Sequence, residues 1–230
     1  MGNISNHIFD SREKLFEKLV ADVTADLEAG LKHGKASMLL SGGTTPGPLY
    51  EQLSNAVLDW KNVCFAPTDE RWVEPEHPDS NERLIRETLL KGNAGVAQYI
   101  GLKSRALDPV SGQAETERSL AALPLPLDVV LLGMGEDGHV ASLFPGLADT
   151  KKALEDGNNL CRAIVRGDND TSRMTMTLKC LLESKRIYLL FFGDKKLEIF
   201  KSALKAKTNN LPVSEILHQS KVPVSLYWAS

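Results

Sequence analysis

Three groups of polar residues each follow a short apolar run, and each group carries side chains suited to holding an anion or moving a proton. Ser41-Gly42-Gly43-Thr44-Thr45-Pro46-Gly47 comes after the run at 36–40. Two glycines let the backbone approach a ligand and turn its N–H groups inward, and the hydroxyls add donors. A helix starting just beyond would favour an anion at its N-terminus. The loop is suited to phosphate, although the same residues also make a plain strand-to-helix turn. It is not a P-loop, because no Gly-Lys-Ser/Thr follows at the required spacing.

The second group, Pro67-Thr68-Asp69-Glu70-Arg71-Trp72, follows the run at 63–66 and leads to Ser80-Asn81. Three adjacent charges there are equally expected of a binding site or of an ordinary loop. Arg71 suits a phosphate or carboxylate because its guanidinium offers several donors in one plane. Ser80 or Asn81 could be simply the cap of the next helix.

The third group, Gly133-Met134-Gly135-Glu136-Asp137-Gly138-His139-Val140-Ala141-Ser142, follows 127–132. Its first six residues fit G-x-G-x-x-G, but Pro145 limits any helix after the last glycine and no acidic residue sits on a clear second strand about 20 positions on. A dinucleotide fold is therefore rejected. His139 beside Asp137 suits proton transfer, since neutral imidazole is the side chain best matched to it near pH 7. Ser142 lacks the nucleophile-elbow pattern and is set aside. Arg173 and Lys196 follow later in the chain, and each would bring a cation to the same sheet edge or stand as a surface charge.

The elements that must position these residues are legible in the apolar pattern. Between 10 and 33, Leu15, Leu19, Val23, Leu27 and Leu31 recur every four positions, which predicts an amphipathic helix. Asp10 with Glu13 resembles a capping box at its start, and Gly34 is its stop. Continuous apolar runs at 36–40, 63–66, 98–102, 127–132, 160–165, 186–192 and 222–228 predict strands covered on both faces. Helical stretches at 46–55, 81–91, 111–123, 194–207 and 213–218 lie between them. This βαβα order predicts an α/β fold, a doubly wound, mainly parallel sheet with helices on both faces. Ligands of such sheets bind beyond the carboxyl ends of the strands, where the three polar groups stand.

The 230 residues are few enough for a single domain spanning 1–230. Lys+Arg 27 against Asp+Glu 30 leaves a net charge of -3, which gives no basic footprint for nucleic acid. No apolar run approaches the roughly 18–20 residues of a membrane span, and the first thirty positions carry charges throughout, so a cytoplasmic location is expected. Cys64, Cys161 and Cys180 are odd in number, far apart and not at metal-ligand spacing. They read as buried small hydrophobes in a reducing compartment, and no metal site is expected.

Ser41-Gly42-Gly43-Thr44-Thr45-Pro46, Asp69-Glu70-Arg71, Ser80-Asn81 and the block from Gly133 to Gly146 resemble, in order and spacing, the 6-phosphogluconolactonases. The resemblance spans nearly the whole chain, and Trp228 near its end also fits. Thr44 stands where these enzymes usually carry Ser, and 167–172 stands where consecutive prolines are common. The glucosamine-6-phosphate deaminase/isomerase group is similar, but there the His is typically followed by Ile-Ala-Phe-Asn-Glu-Pro. Here His139 is followed by Val140-Ala141-Ser142-Leu143-Phe144-Pro145, the lactonase form. A sugar-phosphate sensor would also need a DNA-binding segment, and no basic helix-turn-helix pattern is present.

The resemblance implies hydrolysis of 6-phospho-D-glucono-1,5-lactone in the oxidative pentose phosphate pathway, without a cofactor, by a monomer or small homo-oligomer. It implies His139 as general base and Asp137 as its orienting partner. Ser41, Gly42, Gly43, Thr44, Thr45, Asp69, Arg71, Arg173 and Lys196 are the implied substrate-binding residues.

Overall fold

The computed structural model describes residues 3–167, 170–208 and 210–230. Asp168 and Asn169, in the segment preceding Arg173, lie outside them.

Seven parallel strands form the main sheet in the order β1, β10, β9, β6, β2, β3, β5. These are β1 (Ile4–Phe9), β2 (Ala36–Leu40), β3 (Val63–Pro67), β5 (Gln98–Tyr99), β6 (Val129–Gly133), β9 (Ile187–Phe192) and β10 (Val224–Ala229). The apolar runs are continuous because both faces are covered. Met38, Leu40, Val129, Leu131, Tyr188 and Leu190 belong to one buried cluster, whereas the alternating Leu39, Val130, Leu132, Leu189 and Phe191 belong to another. Truncating one of these leucines to Ala would cost about 2–5 kcal/mol through lost burial and the cavity left behind.

The helix α1 (Arg12–Leu31) buries Leu15, Leu19, Val23 and Leu27 in the first cluster, joined by α2 (Gly47–Leu53) and α3 (Asn81–Thr88). Its cap is Ser11 and not Asp10: the Ser11 side chain accepts the Lys14 N–H at 3.3 Å, so the expected capping box does not form. Toward the other cluster lie α4 (Pro109–Leu120), α5 (Ala148–Glu155), α6 (Leu178–Leu182), α7 (Asp194–Lys205) and α8 (Val213–Leu217).

A second, three-stranded sheet departs from the expected single parallel one. The run at 160–165 does not enter the parallel sheet. As β7 (Cys161–Ile164) it pairs antiparallel with β8 (Arg173–Met176), which pairs antiparallel with β4 (Asp69–Arg71). The charged triplet expected as loop or site is thus a strand, and it hides Glu70 at 1 % exposure. The run at 98–102 contributes only two paired residues. Strand β1, unmarked in the sequence because its short, mixed pattern lies on the sheet edge, pairs with β10. Helices α5 and α6 were likewise unmarked.

The carboxyl ends of β9, β6, β2 and β3 are neighbours, and β2 and β6 form the point from which the chain builds the sheet outward in both directions. A crevice opens at such a switch point because the flanking connections leave in opposite directions. Among the described residues no helix is long and apolar enough to cross a membrane.

Candidate active site

A cleft of about 280 Å³ lies over these four strand ends. Each strand delivers one group of residues to it. From β2 comes the loop Ser41, Gly42, Gly43, Thr44 and Thr45; from β3, Thr68, Asp69 and Arg71; from β6, Gly133, Met134, Gly135 and His139; and from the first turn of α7, which follows β9, Lys196.

The first loop is tied down by the helix that follows it. Tyr50 of α2, fully buried, donates its hydroxyl to the Ser41 carbonyl at 2.7 Å. Burial pushes the Tyr50 phenol far above its ordinary range, so it stays a donor.

The chain then folds tightly beyond β6. The Gly135 N–H donates to the His139 carbonyl at 2.9 Å, and the Gly138 N–H to the Gly135 carbonyl at 3.1 Å. A Cβ on Gly135 would lie 2.2 Å from His139 Nδ1, so the imidazole packs directly on that backbone and only glycine fits. Phe144 holds the imidazole from another side, with ring centroids 4.6 Å apart. Asp137 Oδ1 accepts from the backbone N–H of His139 at 3.1 Å and stands 2.6 Å from its Nδ1. With Nδ1 engaged, Nε2 is the ring nitrogen left for the cleft. Partial burial would raise the Asp137 carboxyl, but the imidazole charge and the His139 N–H bonds outweigh it and hold Asp137 below the usual carboxylate range.

Asp69 is a second carboxylate in the cleft wall, only 8 % exposed. It accepts from the Ser142 hydroxyl and, at 3.2 Å, from that of Thr68. Ser142 is fully buried beneath it, with its N–H on the Thr175 hydroxyl at 3.3 Å. Thr68 joins the two sheets: its N–H donates to Leu40 O and its carbonyl accepts from Met176 N, both at 2.8 Å.

The three cations are not equivalent. Arg71 and Lys196 line the cleft, and Arg71 also donates to the Asp79 carbonyl. Arg173 is not among the residues that line this cleft. It sits opposite Arg71 in the β4–β8 ladder and donates to the Thr171 carbonyl and, at 3.4 Å, to Asp170. Burial, and then the Arg71 charge, lower its affinity for its proton. Asp137 likewise stands behind His139 and outside the wall.

Residue type and spacing do not single out Thr68 or Leu190 as wall residues, and they mark Met134 and Ala141 only within a family block and Asn81 only as a possible helix cap or within such a block. Ser80 is the cap of α3, accepting from Arg83 N at 3.2 Å, which leaves the Asn81 side chain to enter the wall.

Residues 10–228 match the family model of glucosamine-6-phosphate isomerases/6-phosphogluconolactonase. A 6-phosphogluconolactonase of Rhizobium meliloti (strain 1021) is 35% identical over 228 residues, 97% of each chain. One of Pseudomonas aeruginosa is 35% identical over 213 residues, 91% of this chain and 88% of that protein. The crystal structure of a 6-phosphogluconolactonase from Shewanella baltica OS155 superposes with a TM-score of 0.96 at 36% identity, covering 99% of this chain and 98% of that one. With strand ends, glycine loop and Asp-Gly-His turn all assembled on one cleft, the chain belongs to the glucosamine-6-phosphate isomerase/6-phosphogluconolactonase family.

Proposed function

We propose that this protein hydrolyses 6-phospho-D-glucono-1,5-lactone to 6-phosphogluconate, the second step of the oxidative pentose phosphate pathway. The observation that carries the reading is the Asp137–His139 pair, whose Nε2 is left for the cleft that also holds the glycine loop, Arg71 and Lys196. The lactonase names of relatives at about a third identity over nearly the full length support it.

A lactone is already an activated acyl group, so a base, a positioned water and charge stabilisation suffice, and no cofactor enters the scheme. His139 Nε2 takes a proton from water as the oxygen attacks the lactone carbonyl. The tetrahedral intermediate collapses with cleavage of the bond to the ring oxygen, and the imidazolium returns the proton to that oxygen. Asp137 holds the imidazole in the required tautomer and stabilises its cation. The loop 41–45 and Lys196 take the phosphate, and Arg71 binds phosphate or a sugar hydroxyl. Arg173, directly across the ladder from Arg71, sharpens its demand for an anion. Asp69, held by Ser142 and Thr68, accepts from a sugar hydroxyl. Remote phosphate binding orients the carbonyl, so losing a phosphate ligand lowers turnover as well as affinity. We place this chemistry in one domain of a cytoplasmic monomer or small homo-oligomer.

The test is turnover of freshly generated 6-phosphogluconolactone measured against its spontaneous opening. Acceleration well above background is expected, and a folded protein that gives none contradicts the proposal.

A further inference from the structure

Asn81 is 2 % exposed, yet its side chain touches both walls of the cleft. Its Nδ2 donates to the Asp69 carbonyl at 2.7 Å, on the β4 side. Its Oδ1 and Cγ lie under the glycine loop: a Cβ built on Gly42 would stand 1.9 Å from Oδ1 and 2.2 Å from Cγ. Gly42 does not adopt the left-handed backbone that Gly43 does, at φ +83°. Residue 42 is therefore glycine because Asn81 occupies the place of a side chain, and the backbone there imposes no such demand.

Asn81 is itself seated on Glu70. One carboxylate oxygen of Glu70 accepts the Asn81 N–H and the Arg71 N–H, each at 2.8 Å. The other accepts the Glu82 N–H at 2.7 Å and the Ser80 hydroxyl at 3.3 Å. The buried carboxylate thus fixes the first turn of α3 to the strand that carries Asp69 and Arg71. From that fixed turn the Asn81 amide reaches between the strand and the loop.

The geometry points to Asn81 as a positioning residue for sugar-phosphate binding, a strut from Glu70 that sets the separation between the glycine loop and the Asp69–Arg71 wall. This inference rests on the lactonase reading of the cleft. Two side chains that contend for one volume couple energetically, whereas independent sites add.

The test is a double-mutant cycle of wild type, Gly42→Ala, Asn81→Ala and the double variant, with KM and kcat for 6-phosphogluconolactone and circular dichroism to verify folding. Gly42→Ala should raise KM at least about tenfold and lower kcat by a smaller factor, because the loop that orients the phosphate moves and His139 does not. In the double variant the added methyl meets no amide, so its KM should fall at least about tenfold below the product of the two single effects. Asn81→Ser takes the place of Asn81→Ala in the same cycle if the latter does not fold. Single effects that multiply, or losses confined to kcat, overturn the strut with the lactonase reading intact. A folded wild type without turnover overturns that reading and the strut with it.

Discussion

Asp137 Oδ1 stands 2.6 Å from His139 Nδ1 and also accepts the backbone N–H of the same residue. One carboxylate oxygen thus fixes the ring and the main chain that carries it, so the imidazole has little freedom to turn Nε2 away from the cleft. The side chain of His139 keeps 32 % exposure and that of Asp137 47 %, which leaves room for water to enter. Asp137→Asn keeps the shape but removes the charge that favours the imidazolium. Turnover should fall by about 10²-fold, toward the lower end of what a positioned base contributes. Binding of 6-phosphogluconate, measured by calorimetry, should change little. An unchanged kcat would contradict the pairing as functional.

Lys196 and Arg71 line the cleft and Arg173 does not, so their replacements should differ in size. Lys196→Ala and Arg71→Ala should each raise KM for the phosphorylated lactone by roughly 10- to 100-fold, the worth of a hydrogen bond to a charged group. Arg173→Ala should raise it less. Kinetics on gluconolactone lacking the phosphate check this, and Lys196→Ala should leave that substrate nearly untouched. A selective loss on the unphosphorylated lactone would contradict the assignment of Lys196 to phosphate.

Ser142 is a support for Asp69 and not a nucleophile, since its hydroxyl is fully buried on that carboxylate. Ser142→Ala removes a donor from an ionised group with little access to water. Urea denaturation should show a loss of about 1–3 kcal/mol. The remaining folded enzyme should retain far more turnover than one lacking His139. Complete loss of turnover in a fully folded Ser142→Ala protein would reopen a covalent route.

Glu70 makes stability depend on pH in the direction opposite to most carboxylates. Burial pushes it up to about 7, against the pull of the Asn81, Glu82 and Arg71 N–H groups. The folded state then holds a proton that the unfolded chain, titrating near its usual value of about 4.3, has released. Its contribution is full below the unfolded pKa and is lost as pH rises through about 7, amounting to about 4 kcal/mol over that window. Denaturant midpoints at pH 4.5 and 7.5 check this by comparing wild type with Glu70→Gln, whose pH slope should be shallower. Equal slopes would contradict it.

The parallel sheet was legible because strands covered on both faces leave unbroken apolar runs, as at Leu39 and Leu131. The second sheet was not, because β4 is a charged strand. Glu70 can be buried there only with donors from Arg71 and from α3, and α3 begins eleven residues further along the chain. Asp137, His139, the glycine loop and Arg71 stood out through their residue types and spacing. Asn81 did not, because its role depends on where Gly42 comes to rest against it. Arg173 stood out as a cation, but its place directly opposite Arg71 in the β4–β8 ladder depends on a strand pairing between distant segments. The cap of α1 moved from Asp10 to Ser11 because a cap depends on local backbone angles that a sequence pattern leaves open.

The most direct measurement compares wild type with His139→Ala on freshly generated 6-phosphogluconolactone, with affinity for 6-phosphogluconate determined on both. His139 as general base requires kcat to fall by about 10²–10⁴-fold with affinity nearly unchanged. A His139→Ala protein that still turns over at the wild-type rate, or one that loses affinity as much as rate, would contradict it.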